Sequence, residues 1–320
     1  MSAVVIDIKD IRRPPSPKGG QQAMITCADL GDFTRKMDEK TESWSHIWHR
    51  GTPSNFKQLP KIFRKAKISP DNTAKFHNLD ESYLIPTIQR KLHHFNKTQL
   101  SQVDIICLAQ HLRFPTRLLD WTENLSTAIY FATPSPNAKP HLAFLDPTSL
   151  NALQAFVASN HIPRTDLNAV TVSDVTKTKK RLDGISVSSD RICATYVELG
   201  AKKLQKKFPI QRLTAPGYLE VPREYLYIPV AFFPGYAHSR QLLQQSSFTI
   251  HGSSKEPLCA ILSDLRQDVL DMIFFTARFE DAFLAENIHH LRSLCASPIQ
   301  IFGDEEGVFQ ETLDDLIWAM

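Results

Sequence analysis

Residues 116–132, TRLLDWTENLSTAIYFA, constrain the fold more than any other part of the chain. The first half of this segment holds Leu118, Leu119 and Trp121, whose dense apolar character predicts a short buried strand or a tight extended stretch. In the second half the apolar residues recur at helical spacing, at Leu125, Ala128, Ile129 and Ala132. The segment therefore predicts a strand that passes directly into a buried helix.

Polar residues interrupt this apolar segment, and a plain core element would not need them. Asp120, followed three residues later by Glu123, fits a capping box at the start of the helix. Near the end of the helix, Tyr130 and Phe131 are expected to pack against the core, with a role in a functional site as the alternative. The polar side chains that precede or begin the helix are candidates for a site, namely His111, Arg117, Asp120 and Thr122.

The rest of the chain mixes helical and strand-like patterns. Helical spacing is present in residues 27–40 and 101–111, whereas residues 141–147 and 224–233 have the composition of strands. Residues 42–51, ESWSHIWHRG, predict a strand that ends at Gly51 and Pro53 and places on one face Trp44, His46, Trp48 and Arg50. Residues 239–252 are expected to begin as a helical turn and end as a strand, and residues 257–320 to hold two or three helices and the stretch PIQIF.

Composition excludes several classes of protein. The chain has 320 residues, 42% of them hydrophobic, and a formal net charge of +3 that specifies no partner. Its five cysteines are dispersed without CxxC spacing, which is typical of free thiols in a reducing compartment. The N-terminal residues lack the pattern of a signal peptide, and no apolar window is long enough to span a bilayer. A cytoplasmic globular protein with no membrane contact is expected.

Two basic runs and two histidine pairs are the remaining features with a chemical interpretation. Lys177 to Arg181 and Lys202 to Lys207 are able to contact phosphates, although a solvated helix face is the simpler interpretation. His93–His94 and His289–His290 lack the i,i+4 helical spacing that directs two imidazoles at one metal ion. No metal site is predicted.

Three segments together resemble the FRG domain family, named for its Phe/Tyr-Arg-Gly motif. WHRGTP supplies Arg50 and Gly51; LAQHLRFPTRLLDWTENLSTAIYFA is similar to the central signature; RQLLQQSSFTIHG is similar to the late Arg-xxx-Gln-x-Gly-x-Phe-Thr segment. The resemblance implies an FRG domain over 26–255 with an insertion near 150–222. It would be preceded by a strand and a Pro/Gly-rich connector in 1–25 and followed by a helical extension in 256–320.

The chain departs from the family pattern at three positions. His49 replaces the aromatic residue before Arg-Gly, which puts a titratable group beside Arg50. Arg113 and Ser246 each replace a glycine, so a side chain stands where the family allows close approach of the backbone. These departures are expected to alter the shape of any pocket built from the motifs.

The family in turn resembles the ADP-ribosyltransferase fold, an α+β fold with a split mixed sheet flanked by helices. That resemblance implies a first strand whose Arg holds NAD, a second strand with a Ser or Thr leading into a helix, and a late strand with Glu or Gln. Arg50, then Asp120 to Thr122, then Gln244 follow this order. The implied catalytic residues are Arg50, Asp120, Thr122 and Gln244.

NAD is the implied substrate, and its chemistry assigns a role to each residue. Arg50 and Arg117 would donate to phosphate oxygens, and Trp121 or Trp48 would stack on the nicotinamide. Asp120 or Gln244 would accept from a ribose hydroxyl, Asp120 would stabilise the cationic transition state, and Thr122 would orient Gln244. The NAD-binding set comprises Arg50, Gly51, Arg117, Trp121, His111, Arg240 and Phe248.

Alternatives remain open for these assignments. Arg117 and Asp120 would also be satisfied as a buried pair, Trp121 as a core residue, and His111 as a helix cap. The leading function is transfer of ADP-ribose to a macromolecule, or hydrolysis of NAD, by a toxin or an effector of antiphage defence. The alternatives are a non-catalytic nucleotide sensor and a nucleic-acid-binding module.

Overall fold

The structure is a computed structural model. It describes residues 24–54, 58–64, 87–88, 90, 102–111, 114–182, 210–211, 220–221, 225–234, 239–295, 297–302, 309–310 and 314. Three features of the sequence lie outside the described residues: the strand and connector expected before residue 24, Arg113, and the basic run Lys202 to Lys207. Of the insertion expected near 150–222, the described part is 150–182 with two short strand pieces.

Helices occupy most of the described chain outside the sheet. They are α1 Leu30–Thr41, α2 Gln102–His111, α3 Leu125–Ala132, α4 Pro147–Ser159, α5 Val172–Leu182, α6 Ser239–Leu243, α7 Leu258–Leu262, α8 Gln267–Asp271, α9 Asp281–Ser293 and α10 Pro298–Phe302. Short 3₁₀ turns lie at Lys61–Phe63 and Arg164–Ala169. The helices predicted from apolar spacing in residues 27–40, 101–111 and 125–132 are confirmed as α1, α2 and α3.

Within the described residues, seven strands form one mixed sheet: β1 Met24–Cys27, β2 Trp48–Thr52, β3 Leu118–Thr122, β4 His141–Leu145, β7 Val230–Phe232, β8 Ser246–Ile250 and β9 Phe274–Phe279. Their order in the sheet is β1-β9-β4-β2-β3-β8-β7. The short strands β5 Ile210–Gln211 and β6 Glu220–Val221 pair separately with each other. β1 and β9 are parallel and the other pairs in the large sheet are antiparallel. The α+β class, a mixed sheet flanked by helices, is confirmed.

Helices cover both faces of this sheet. Successive side chains of a strand point to opposite sides, so each strand contributes residues to both layers. On one face Trp48, Leu119 and Trp121 pack with residues of α4, α5, α7 and α8. On the other face Phe144 and neighbouring residues pack with α1, α3 and α9. Over β3, β8 and β7, that second face is covered instead by α2. The helical layer of the second face is therefore divided into two parts.

The sheet itself is divided at the same place. β2 pairs with β4 at five positions and β3 pairs with β8 at five positions, but β2 and β3 share the single pair His49–Thr122. Beyond that pair the two strands separate. A gap therefore opens between β2 and β3, directly beneath the boundary between α2 and α3.

Local predictions at several element ends were wrong. The capping box of Asp120 and Glu123 is not formed; Asn124 caps α3 and accepts from the amides of Ser126 and Thr127. The strand expected over 42–51 begins only at Trp48, so Trp44 and His46 are not part of its face. The strand expected over 224–233 is shorter, since β7 spans three residues.

The region after residue 256 is not purely helical. β9 lies inside the large sheet between β1 and β4, whereas PIQIF forms helix α10. The domain boundary at 255/256 remains a prediction, but the sheet draws strands from both sides of it. No helix in the part of the chain that the structure describes is long and apolar enough to cross a membrane. None of the four cysteines among the described residues forms a disulfide.

Candidate functional site

A cavity of about 550 Å³ occupies the gap between β2 and β3. Its walls come from both strands, from the C-terminal end of α2, from one face of α3, and from the turn before β8. Ligand pockets in proteins typically have this size and combine apolar walls with a few polar groups. The lining residues are His49, Arg50, Gly51, Thr52, Pro53, Arg64, Gln110, His111, Asp120, Trp121, Thr122, Thr127, Ala128, Phe131, Gln241, Gln244, Ser246, Phe248 and Phe302.

Arg50 extends from β2 across the gap to β3. Its Nη1 donates to the main-chain oxygen of Asp120 at 2.5 Å and lies 3.7 Å from the carboxylate Oδ2 of the same residue. Burial lowers the pKa of the Arg50 guanidinium; Asp120 opposes this shift and the nearby charge of Arg64 adds to it. Since arginine remains protonated in proteins, the cavity contains a fixed, largely desolvated positive charge.

Among the described residues that line the pocket, Asp120 is the carboxylate, and its position is fixed by a short chain of hydrogen bonds. Gln110 at the end of α2 donates its Nε2 to Asp120 Oδ2 at 2.8 Å. Thr116 Oγ1 donates to Gln110 Oε1 at 2.5 Å, which sets the orientation of the amide. The side chain of Asp120 is 52% exposed, so one side of the carboxylate remains accessible from the cavity.

Thr122 connects β3 to the turn that carries Gln244. Its hydroxyl donates to the main-chain oxygen of Gln244 at 2.7 Å and accepts from the amide of Asn124 at 3.0 Å. Gln244 lies at the turn before β8 rather than within the strand, so its predicted place in a late strand is wrong. Thr122 therefore contacts Gln244 through the backbone of Gln244, and the orienting role of Thr122 stays a prediction.

Gly51 lies where β2 and α3 touch. A Cβ atom built on Gly51 would stand 1.7 Å from the main-chain oxygen of Ala128 and 3.0 Å from the amide nitrogen of Ala132. Contacts this short are not possible for real atoms, so only glycine fits. Gly51 lines the pocket, and glycine is required there because the strand and the helix pack closely; its part in NAD binding stays a prediction.

His49 is neutral rather than a second cation beside Arg50. Burial lowers its pKa to about 4, although contacts with the main chain of Thr122 and Glu123 act in the opposite direction. Its Nδ1 lies 3.3 Å from the oxygen of Thr122, and its ring packs edge-on against Phe144 at 5.4 Å. The departure from the family pattern therefore places a buried neutral ring at the single β2–β3 pair.

Two residues of the predicted NAD-binding set, Arg117 and Trp121, have buried side chains that hydrogen-bond within the protein. Arg117 is buried and is not part of the pocket lining; its Nη1 donates to the main-chain oxygens of His251 at 2.8 Å and Gly252 at 3.3 Å. Trp121 touches the cavity, but its side chain is buried and donates to Thr249 Oγ1 at 3.1 Å. The phosphate clamp by Arg117 and the stacking by Trp121 are therefore corrected. Trp48, the alternative stacking residue, is fully buried in the same core.

Of the remaining predicted residues, some line the pocket and one has a side chain that the structure does not describe. His111 and Phe248 line the cavity, as does Ser246, which replaces the family glycine and is almost completely buried. Arg240 lies in α6, and its side chain is outside the described part. The structure thus brings together eight predicted residues around one cavity: Arg50, Gly51, His111, Asp120, Trp121, Thr122, Gln244 and Phe248.

Sequence reasoning missed several residues of the wall. Arg64, after the 3₁₀ turn, lines the pocket and donates its Nε to the oxygen of Leu59 at 2.9 Å. No local pattern marks its segment. For Phe131, packing of the helix is the first expectation from the sequence and a role in the site is only the alternative. Phe302 is the last residue of the apolar stretch PIQIF, which gives no indication of a site. Gln110 had a signal, because it stands in the central signature directly before His111.

Outside the pocket, the described basic run lies on α5. Lys179 of this run donates to Asp146 Oδ2 at 2.9 Å, and the side chain of Asp146 is completely buried. Lys177, Lys180 and Arg181 are exposed. Contact of this run with phosphate remains a prediction. Among the residues that the structure describes, no group of three or more His, Cys, Asp or Glu side chains is placed to hold a metal ion.

Comparison with known families identifies part of this site. The model of the FRG domain family matches residues 45–141, a segment that contains β2, α2, β3, α3 and the first residue of β4. The resemblance to that family is therefore confirmed over this segment. The pocket residues Gln241, Gln244, Ser246, Phe248 and Phe302 follow it in the chain. Searches of curated proteins and of solved structures gave no match.

Proposed function

We propose that this FRG-domain protein binds NAD in the cavity between β2 and β3 and acts as an ADP-ribosyltransferase. It transfers ADP-ribose to a macromolecule, with water as the acceptor when no macromolecule is bound. The observation that carries the proposal is the convergence of Arg50, Asp120, Thr122 and Gln244 on one cavity, although they come from distant parts of the chain. An ADP-ribosyltransferase-like fold is part of the same proposal, supported by the gap between the two strands.

The charges of the cavity complement those of NAD. Arg50 and Arg64 provide two guanidinium groups, which bind phosphate oxygens through forked N–H donors. One carboxylate, Asp120, stands beside them. A dinucleotide presents a pyrophosphate to the arginines and ribose hydroxyls to the carboxylate. Partial burial of Arg50 strengthens its interaction with an anion because less water competes for it.

The reaction breaks the bond between nicotinamide N1 and ribose C1′. The bonding electrons leave with nicotinamide, which becomes neutral, and positive charge develops on the ribose as it does in glycoside hydrolysis. A nucleophile of the acceptor then attacks C1′ and loses its proton to solvent. The Asp120 carboxylate stabilises the developing charge, and Gln110 and Arg50 keep that carboxylate in place.

Gln244 is neutral, so it contributes hydrogen bonds rather than charge. Its amide oxygen is available to accept from a ribose hydroxyl, while Thr122 holds its backbone. With a single carboxylate assigned to the cation, turnover is expected to be slow. The same feature favours the second candidate function, a nucleotide sensor that binds in this cavity without breaking the glycosidic bond.

Consumption of NAD would make the protein harmful to the cell that contains it, which fits a toxin or an antiphage-defence effector. Inducible expression tests this role. The proposal expects growth arrest with the wild-type chain and growth with Asp120→Ala. Equal growth of both strains, with and without phage infection, would contradict it.

The activity is tested by measuring free nicotinamide and transferred label after incubation with labelled NAD and cell lysate. Asp120→Asn should lower the rate about 100-fold, the scale expected for loss of one electrostatic contact in a transition state. Asp268→Asn is the matched control, since Asp268 is similarly exposed and is not part of the pocket lining. NAD binding without turnover would favour the sensor, and neither binding nor turnover would refute both functions.

A further inference from the structure

Phe131 is a large apolar residue that remains exposed inside the pocket. It is 40% exposed, whereas its neighbours on α3, Tyr130 and Ala132, are almost completely buried. Phe131 also lines the cavity. An aromatic ring kept open to a ligand cavity is the common means by which proteins hold a planar ring.

The orientation of this ring is fixed by two perpendicular ring contacts. The centroid of Phe131 is 5.3 Å from that of Tyr130, with an interplanar angle of 81°, and 6.5 Å from that of Phe302, with an angle of 89°. Phe302 belongs to α10 and also lines the cavity. The aromatic wall is therefore preorganised, which reduces the entropy that a ligand would lose on ordering it.

The C-terminal region holds this wall in place. The guanidinium carbon of Arg292, on α9, lies 4.2 Å from the centroid of the Tyr130 ring, a cation–π contact. Arg292 also donates to the main-chain oxygens of Tyr130 at 3.3 Å and Thr133 at 3.4 Å, and it forms an ion pair with Asp314. The end of α3 is thus tied to segments that follow the FRG match.

The aromatic wall and the charged residues belong to one cavity. Thr127, Ala128 and Phe131 line it from one face of α3, at the spacing expected for neighbours on a helix. Phe131 lies about 6 Å further along the helix axis than Thr127. The polar residues Asp120 and Thr122 come immediately before this helix, so charged groups and the aromatic wall line the same cavity.

We propose that Phe131, supported by Phe302, is the ring-binding residue of the pocket and recognises the heteroaromatic base of a nucleotide. It takes the stacking role for which Trp121 and Trp48 are too deeply buried. The inference rests on the proposed function, because it assumes that the phosphate of the same ligand meets Arg50 and Arg64. The base is nicotinamide or adenine, and both present the same flat π surface.

Equilibrium binding measured by calorimetry separates the ring from the phosphate. Nicotinamide mononucleotide and AMP each carry a base, whereas ribose 5-phosphate carries the same anion without one. Phe131→Leu should weaken binding of at least one base-bearing nucleotide about 10-fold, the scale of stacking on one aromatic side chain. Binding of ribose 5-phosphate should change less than twofold. The nucleotide that is affected identifies the base.

Two further variants control for folding and for general loss of apolar surface. Phe131→Tyr keeps the ring and should retain the wild-type affinity. Phe114→Leu removes a ring of similar exposure, 37%, that is not part of the pocket lining, and should leave all affinities unchanged. Urea unfolding of each variant checks that the chain remains folded.

Each possible result has a definite meaning. If the wild-type chain binds the nucleotides and Phe131→Leu binds them equally well, the ring-binding role is refuted and the proposed function stands. If ribose 5-phosphate binds as tightly as the nucleotides, the ring-binding role is likewise refuted and the proposed function stands. If the wild-type chain binds none of these ligands and no NAD, the proposed function fails and this inference fails with it.

Discussion

Replacing Gly51 by alanine tests how β2 and α3 form the pocket wall. The added Cβ would lie 1.7 Å from the main-chain oxygen of Ala128, whereas ordinary contacts begin at 3.4 Å. The strand and the helix would have to separate by about 1.7 Å, the difference between these two distances. Neither is free to move, because β2 is paired with β4 at five positions and α3 is packed in the core. We expect a loss of about 3 kcal/mol of unfolding free energy, the upper end for overpacked sites.

Urea unfolding followed by tryptophan fluorescence measures this loss. Gly31→Ala is the matched control, since the nearest atom that its Cβ would meet is the N-cap oxygen Asp29 Oδ1, at 3.2 Å, which has to give by only a few tenths of an ångström. Alanine also has the higher helix propensity, so the control should change stability by less than about 1 kcal/mol.

The displacement also has a consequence for function. Movement of α3 away from β2 would displace Thr127 and Phe131, so the proposed binding of NAD should be weaker in Gly51→Ala under conditions where the chain is still folded. An unfolding free energy within about 0.5 kcal/mol of the wild type would show that the close approach of strand and helix does not restrict this position.

Three further predictions concern buried ionisable groups. His49 has a pKa of about 4 and His251 of about 3, so between pH 7 and pH 5 only the unfolded chain gains their protons, and stability falls. In His49→Gln, the loss of unfolding free energy between pH 7 and pH 5 should be smaller by about 2 kcal/mol, as measured by urea unfolding at both pH values; a loss equal to that of the wild type would contradict the lowered pKa of His49. His251→Gln should reduce the same loss by a similar amount, and a loss equal to that of the wild type would contradict the lowered pKa of His251. Lys179→Met should cost about 2 kcal/mol by leaving the buried carboxylate of Asp146 without its ion pair, whereas exposed Lys180→Met should cost less than about 0.5 kcal/mol; equal losses would refute the difference.

Local sequence patterns were sufficient for the elements around the motif. Leu118 to Thr122 and Leu125 to Ala132 form the predicted strand and helix, because each has an apolar pattern of its own. β9 was missed, since Phe274–Phe279 follows directly on an apolar helical stretch without a turn signal. Its place between two distant strands is decided by tertiary packing.

The site could be predicted only where motif order or strand geometry determines it. The convergence of Arg50, Asp120 and Gln244 followed from the order of the family motifs. The alternation of side chains along a strand also argues against the stacking role predicted for Trp121, because the neighbours Asp120 and Trp121 point to opposite faces of the sheet. Arg64 and Phe302 carry no local signal, since only the folded chain brings them to the cavity.

NAD is the proposed occupant of the cavity between β2 and β3. A crystal structure of the Asp120→Asn variant soaked with NAD would show whether this is so, because slow turnover preserves the ligand. We expect phosphate density beside Arg50 and the nicotinamide ribose beside residue 120 and Gln244. NAD bound elsewhere, or an empty cavity at a concentration that saturates binding in solution, would contradict it.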